Sequence, residues 1–139
     1  MDKRIEQKLK EIDESLEIIE ESLPAEVNEF KALGLVKDGI YKRLEFCIQN
    51  VLDIFSMIYS EMKLGVPSSL DEILTVLEDK KLFPKEIITL AKEMKGMRNI
   101  LVHRYGKVND ALIFELLMER KDDFEKIKQS IELHFKKKK

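Results

Sequence analysis

The sequence predicts an all-α fold, an up-and-down bundle of four to five helices, and three observations carry that expectation. The chain is rich in Glu, Lys, Leu and Ile, residues that lose little on entering a helix, and is 37% charged and 44% apolar. Only five Gly and three Pro interrupt its 139 residues. Apolar residues recur at steps of three and four, the period of an amphipathic helix, and no stretch alternates as a half-buried strand does. A chain of this length can bury one core without disulfides or metals, so residues 1–135 read as a single domain and the lysine run 136–139 as a disordered tail.

The elements follow in order. Ile5, Leu9, Ile12, Leu16, Ile19 and Leu23 lay one apolar stripe along a first helix, which Pro24 ends. A longer helical pattern runs from Ala25 to about Lys63 through Ile40, Leu44, Ile48, Val51, Leu52, Phe55 and Ile58, with a break expected between Ala32 and Lys37 because Gly34 is its weakest point. Gly65 and Pro67 make a turn, and Ser69 with Glu72 has the spacing of a capping box for a short helix from Leu70 to about Asp79. Pro84 suits the first turn of the next helix, whose apolar side is Ile87, Leu90, Ala91, Met94 and Met97. Gly106 is a natural stop and Asn109 a natural N-cap. The last helix carries Ile113, Leu116, Leu117, Phe124, Ile127 and Ile131, a stripe that Arg120 interrupts.

Composition removes several function classes. Cys47 is the only cysteine, so the chain has neither an intrachain disulfide nor a cysteine zinc cluster, and a reducing cytoplasm is the expected location. Residues 1–19 alternate charge with apolar side chains instead of forming the apolar run of a signal peptide, and no segment approaches a membrane span, so no membrane partner is expected. The residues three before His103 and His134 are Ile100 and Ile131, which excludes the paired Glu-x-x-His motifs of a di-iron bundle; no metal site and no cofactor are expected. Phosphate-binding glycine loops, dinucleotide fingerprints and nucleophile elbows are absent.

What remains is a polar cluster in the segment RNILVHRY, Arg98 to Tyr105. The net charge is only −2, yet between residues 92 and 107 Lys92, Lys95, Arg98, Arg104 and Lys107 face Glu93 alone. A guanidinium, an imidazole and an amide suit cleavage of RNA by its own adjacent 2′-hydroxyl. His103 would move a proton near neutral pH, Arg98 would hold phosphate oxygens through parallel hydrogen bonds, and Asn99 would orient the imidazole or donate to phosphate. Helical spacing places Asn99 and His103 on one face, but Arg98 and His103 are five apart and point about 140° from each other on a regular helix. They converge if the helix ends or tightens near His103, or if they meet across a dimer axis. The same cluster also fits a structural role, since a histidine and arginines near a helix C-terminus can bind free carbonyls. Tyr105 then reads as a packing residue. Arg43 and Asp53 either pair structurally or support the site, the structural reading being the better fit, and His134 reads as surface or as helix-end charge.

The order Arg98, Asn99, His103, Tyr105 resembles the signature of the HEPN superfamily, and in particular of its HepT-like toxins. Arg43 with Leu44, Gln49 to Asp53, and the Pro67-Ser68-Ser69 turn sit in the same order as in that family, so the resemblance spans nearly the whole chain. It implies a HEPN-like helical bundle that forms a homodimer, with two copies of the motif lining a cleft. It also implies a metal-independent endoribonuclease with Arg98 and His103 catalytic, Asn99 supporting, and a cyclic phosphate left on the RNA. The implied partner is a minimal, MntA-like nucleotidyltransferase antitoxin of a type II toxin–antitoxin system, which AMPylates Tyr105 and silences the toxin. Charge and bulk added there would compete with RNA phosphate for Arg98. Two other readings stand beside this one: a non-catalytic HEPN-like binding module for a nucleotidyltransferase or nucleotide, and a helical adaptor resting on the amphipathic stripes alone.

Overall fold

The computed structural model describes residues 1–103 and 108–137. Among them the chain forms helices α1 (Lys3–Ser22), α2 (Val27–Lys31), α3 (Leu35–Glu61), α4 (Leu70–Asp79), α5 (Lys85–His103), α6 (Asp110–Glu119) and α7 (Asp122–Lys137), and no strand. The all-α bundle is as expected, built on the long helices α1, α3, α5 and α7. The helix number exceeds four to five because two long patterns divide, one at Gly34 and one at Arg120.

Each boundary has a local cause. Asp2 caps α1 by accepting the Arg4 amide at 2.7 Å, and Leu23 is extended before Pro24, as a residue preceding proline tends to be. Gly34 has φ 61° and ψ −124°, a conformation that side chains with a Cβ rarely adopt. A Cβ there would meet nothing within 4 Å, so the glycine is required by backbone conformation and not by space. Ser69 accepts the Glu72 amide at 3.1 Å. The Glu72 carboxylate, however, accepts from the amide and hydroxyl of Ser68, one residue earlier than a capping box would have it. Pro84 stands just before α5, and its carbonyl accepts the amides of Ile87 and Ile88. Asn109 caps α6 through the Leu112 amide at 3.1 Å.

Helix α1 lies antiparallel to α3, because contacts that ascend one helix descend the other. Lys8 meets Asp53, the Cys47 thiol donates to the Ile12 carbonyl, and Arg43 donates to Ser15. Ser15 is buried where the stripe leads one to expect Leu16, which is only half-buried, so a small residue stands at the close approach. Helices α4 and α5 pair in the same sense through Asp71–Lys95 and Thr75–Lys92. The core takes in Ile5, Ile48, Ile54, Leu74, Ile88 and Ile127, each almost fully buried.

Three further readings from the sequence change. The stripe drawn through the last helix belongs to two helices, and the interrupting Arg120 ends the first of them and bridges Glu93 of α5 and Asp123 of α7. His134 is neither a surface residue nor a simple helix-end charge. It is buried, stacked on Phe83 with ring centroids 5.2 Å apart, and Phe83 in turn meets Phe55 edge-on at 5.0 Å. Its position three after Ile131 and seven after Ile127 places it on the buried stripe, a signal already present in the pattern. α7 continues through Lys137, past the boundary drawn at 135; the last two lysines lie outside the described residues.

The burial pattern separates costly from harmless substitutions. Ile88→Ala, at a position with no exposed surface, is expected to lower unfolding stability by about 2–5 kcal/mol. Val66→Ser, at a position 97% exposed, should stay within about 0.5 kcal/mol of wild type. Urea unfolding of both variants measures the difference, and equal midpoints would contradict this core.

Candidate functional site

Of the sequence-predicted cluster, Arg98, Asn99 and His103 sit on the last two turns of α5. Leu101 is buried and docks that end of the helix onto the bundle, whereas Ile100 and Val102 are 41% and 45% exposed. Arg98 is half-buried on the side facing α3, and His103 is exposed. The helix is regular from Arg98 to His103, so the two side chains leave it about 140° apart. It does not tighten before His103, and α5 ends at that residue, so both ways of bringing the two side chains together, a helix end at His103 and a second copy, remain in play. Arg104, Tyr105, Gly106 and Lys107 lie outside those residues, and with them the expected stop at Gly106 and the position of Tyr105.

Arg98 is held on two sides. Nη1 donates to Gln49 Oε1 of α3 at 3.1 Å, and Nη2 donates to Asn99 Oδ1 at 2.8 Å. Asn99 therefore spends its carbonyl on the guanidinium. Behind Gln49 the bonding continues: Gln49 Nε2 donates to Asp53 Oδ1 at 2.8 Å, and Lys8 Nζ of α1 lies 3.4 Å from Asp53 Oδ2 and 3.5 Å from Oδ1 of buried Asn50. Both acceptors of Arg98 are uncharged amides, and among the described residues it forms no ion pair with a carboxylate. Its positive charge is thus held in place without being cancelled. Other cations of the basic segment are engaged elsewhere, Lys95 with Asp71 at 2.9 Å and Lys92 with Thr75 at 3.0 Å.

Sequence reasoning missed Gln49 as a contact of Arg98. The available signal was its place four residues before Asp53, on one face of a helix otherwise buried. Asp53 belongs to this bonded chain, while Arg43 bonds Ser15 at 3.4 Å and is not among the hydrogen-bond partners of Arg98. Burial pushes the Cys47 thiol up to about 12, which leaves no thiolate for nucleophilic chemistry. Among the described residues no group of three or more His, Cys, Asp or Glu is placed to hold a metal ion, and no helix is long and apolar enough to cross a membrane.

Two cavities flank the cluster without containing Arg98, Asn99 or His103. One, of about 610 Å³, is lined chiefly by apolar residues such as Leu23, Met94, Met97 and Leu117. The other, of about 350 Å³, lies beside the turn that carries His103 and is lined by Asp38, Tyr41, Lys42, Glu45, Leu101 and Val102. Close to the second, Asp110 at the start of α6 accepts from the Tyr41 hydroxyl and from Lys37 Nζ, the latter at 2.8 Å. Burial acts to raise the Asp110 carboxyl, but the bonds from Lys37 and Tyr41 outweigh it and hold the group below its ordinary value of 3.8. That cluster fastens the chain directly after residues 104–107.

Comparison with known proteins adds the following. Residues 12–131 match the family model described as Ribonuclease HepT-like. The chain is 29% identical over 98 residues to the mRNA nuclease HepT of Shewanella oneidensis, covering 70% of this chain and 74% of that protein. It superposes with a TM-score of 0.85 and 26% identity on a chain of the tri-AMPylated Shewanella oneidensis HEPN toxin in complex with MNT antitoxin, covering 96% of this chain and 99% of that one. A toxin–antitoxin structure with AMP-PNP gives a TM-score of 0.85 and 25% identity, covering 94% and 99%.

The Asp110 cluster predicts an acid dependence. A carboxyl lowered in the folded state contributes its stability in full above the unfolded value and loses it as pH falls through the folded one. Asp110→Asn should therefore melt below wild type at neutral pH, with the gap narrowing below about pH 4. Thermal melts across pH test this, and a gap that stays constant into acid would refute the assignment.

Proposed function

The chain belongs to the HepT-like ribonuclease family, and from that premise we propose that it is the endoribonuclease toxin of a type II toxin–antitoxin system, cutting RNA without a metal ion. The observation that carries this reading is the family match across residues 12–131, which takes in the whole of RNILVHRY. The half-buried, uncancelled guanidinium of Arg98 supports it.

In this reading Arg98 binds the non-bridging oxygens of the scissile phosphate and stabilises the charge that grows on them. The RNA 2′-oxygen bonds to phosphorus as the bond to the leaving oxygen breaks, which leaves a cyclic phosphate. His103 takes the hydroxyl proton as that bond forms and returns it to solvent, from which the leaving oxygen takes a proton. Asn99 supports the site through Arg98, to which it is bonded. Because Arg98 and His103 diverge on a regular helix, the working unit is a homodimer in which Arg98 of one copy and His103 of the other share a phosphate.

The partner is an MNT-type nucleotidyltransferase, as in the Shewanella oneidensis complex, acting in the cytoplasm. It transfers AMP to Tyr105, two residues beyond His103. The added phosphate and nucleoside bring negative charge and bulk to a cleft that must receive RNA phosphates, and the toxin is silenced.

Purified protein should cleave RNA in EDTA, His103→Ala should lose about a hundredfold or more, and Arg98→Ala about a hundredfold to a thousandfold. Equal activity in all three proteins would reject the catalytic assignment. Co-expression of the two variants should restore cleavage, because a mixed dimer then holds one intact Arg98–His103 pair. Silence of the mixed dimer would reject the shared site. Intact mass should rise after incubation with the antitoxin and ATP, and Tyr105→Phe should abolish that rise; a persisting adduct would place the modification elsewhere.

A further inference from the structure

We propose that Gln49 is a positioning residue for Arg98, with its amide turned the productive way by Asp53, which Lys8 in turn holds from α1. This rests on the reading of Arg98 as the phosphate-binding group.

The argument begins with what each group can do. A guanidinium only donates hydrogen bonds and a carboxylate only accepts them, whereas a primary amide presents one face of each kind. Gln49 stands between the two, 3.1 Å from Arg98 Nη1 and 2.8 Å from Asp53 Oδ1. Only one orientation satisfies both neighbours: the NH2 toward Asp53 and the carbonyl toward Arg98. Asp53 therefore decides which way the amide faces. Lys8 at 3.4 Å holds the other oxygen of that carboxylate, so the ordering passes from α1 through α3 to α5.

The identity of the middle residue matters. A carboxylate at position 49 would reach Arg98 equally well, but it would form an ion pair and compete with RNA phosphate for the same donors. The amide fixes the direction of the guanidinium and leaves its charge available. Asn99 does the same from the other side at 2.8 Å, so two neutral acceptors immobilise one cation. The carboxylate needed for orientation sits one residue further back, already paired with Lys8.

Glutamate is thus the informative replacement, because Gln49→Glu keeps size and reach while neutralising Arg98 in place. Position 49 is exposed, so the fold should tolerate it. Single-turnover RNA cleavage should fall by roughly tenfold to a hundredfold in Gln49→Glu, and less in Asp53→Asn. In a His103→Ala background, where RNA is bound but not cut, the slope of log affinity against log salt should shrink by about 0.7 in Gln49→Glu, as for one lost phosphate contact on a single strand. Arg98→Ala should shrink it equally, and Gln49→Glu added to Arg98→Ala should cost nothing more.

The outcomes separate the two ideas. Wild-type cleavage by Gln49→Glu and Asp53→Asn beside a dead Arg98→Ala overturns the positioning role and leaves the reading of Arg98 standing. Wild-type cleavage by Arg98→Ala overturns that reading and this proposal with it. A loss in Gln49→Glu with an unchanged salt slope, or one that repeats in the Arg98→Ala background, shows an effect that does not pass through Arg98 and also overturns the proposal.

Discussion

Burial of α3 between α1 and α5 is the constraint on which the rest of the structure depends. Ile40, Leu44, Ile48, Val51, Leu52, Phe55 and Ile58 draw the helix into the core and so fix its rotation about its own axis. Once that rotation is set, Gln49 and Asp53 follow in place on the uncovered strip, one beside α5 and the other beside α1. The polar chain from Lys8 to Arg98 is a consequence of apolar packing. Its energy in water is modest, since bonds between exposed or half-buried groups replace bonds to solvent; what it supplies is direction.

The same packing explains why the motif helix is firm at one edge and open at the other. Leu101 is held in the core, and Phe83, Phe55 and His134 close the layer where the chain enters α5. Arg120 ties the middle of α5 to the junction of α6 and α7 through Glu93. His103 shares the helix with these anchors yet points to solvent, so the position of its backbone is set while its ring remains accessible. Arg98 is ordered by protein groups, whereas His103 is left accessible.

Much of this was legible in the sequence because helices are local. The stripe of Ile5, Leu9, Ile12 and Ile19, the Ser69 cap, the span of α4 and the Asn109 cap follow from residues a few positions apart, and the Gly34 break follows from one residue's backbone freedom. Arg120 shows where local reading falters. As a gap in a stripe it was visible, but its effect depends on Glu93 and Asp123, one of them on another helix. His134 shows the opposite failure: its spacing placed it on the buried stripe, and its polarity outweighed the spacing. A ring that stacks on Phe83 is buried by its flat face, an option that chemical type alone conceals.

For the candidate site the division is similar. The amino-acid order by itself determined the helical class, the amphipathic faces and the grouping of Arg98, Asn99, His103 and Tyr105, because these depend on residue type and on spacing along the chain. The five-residue offset was there to be read as well, and with it the demand for either a helix that ends or tightens near His103 or a second copy. Only the tertiary structure decided that the helix stays regular to His103, and that the partners of Arg98 are Asn99 beside it and Gln49 from a helix far away in the chain. Which uncovered strip of α3 meets which turn of α5 is set by the summed packing of many apolar side chains, and no single pair of residues along the chain encodes that sum.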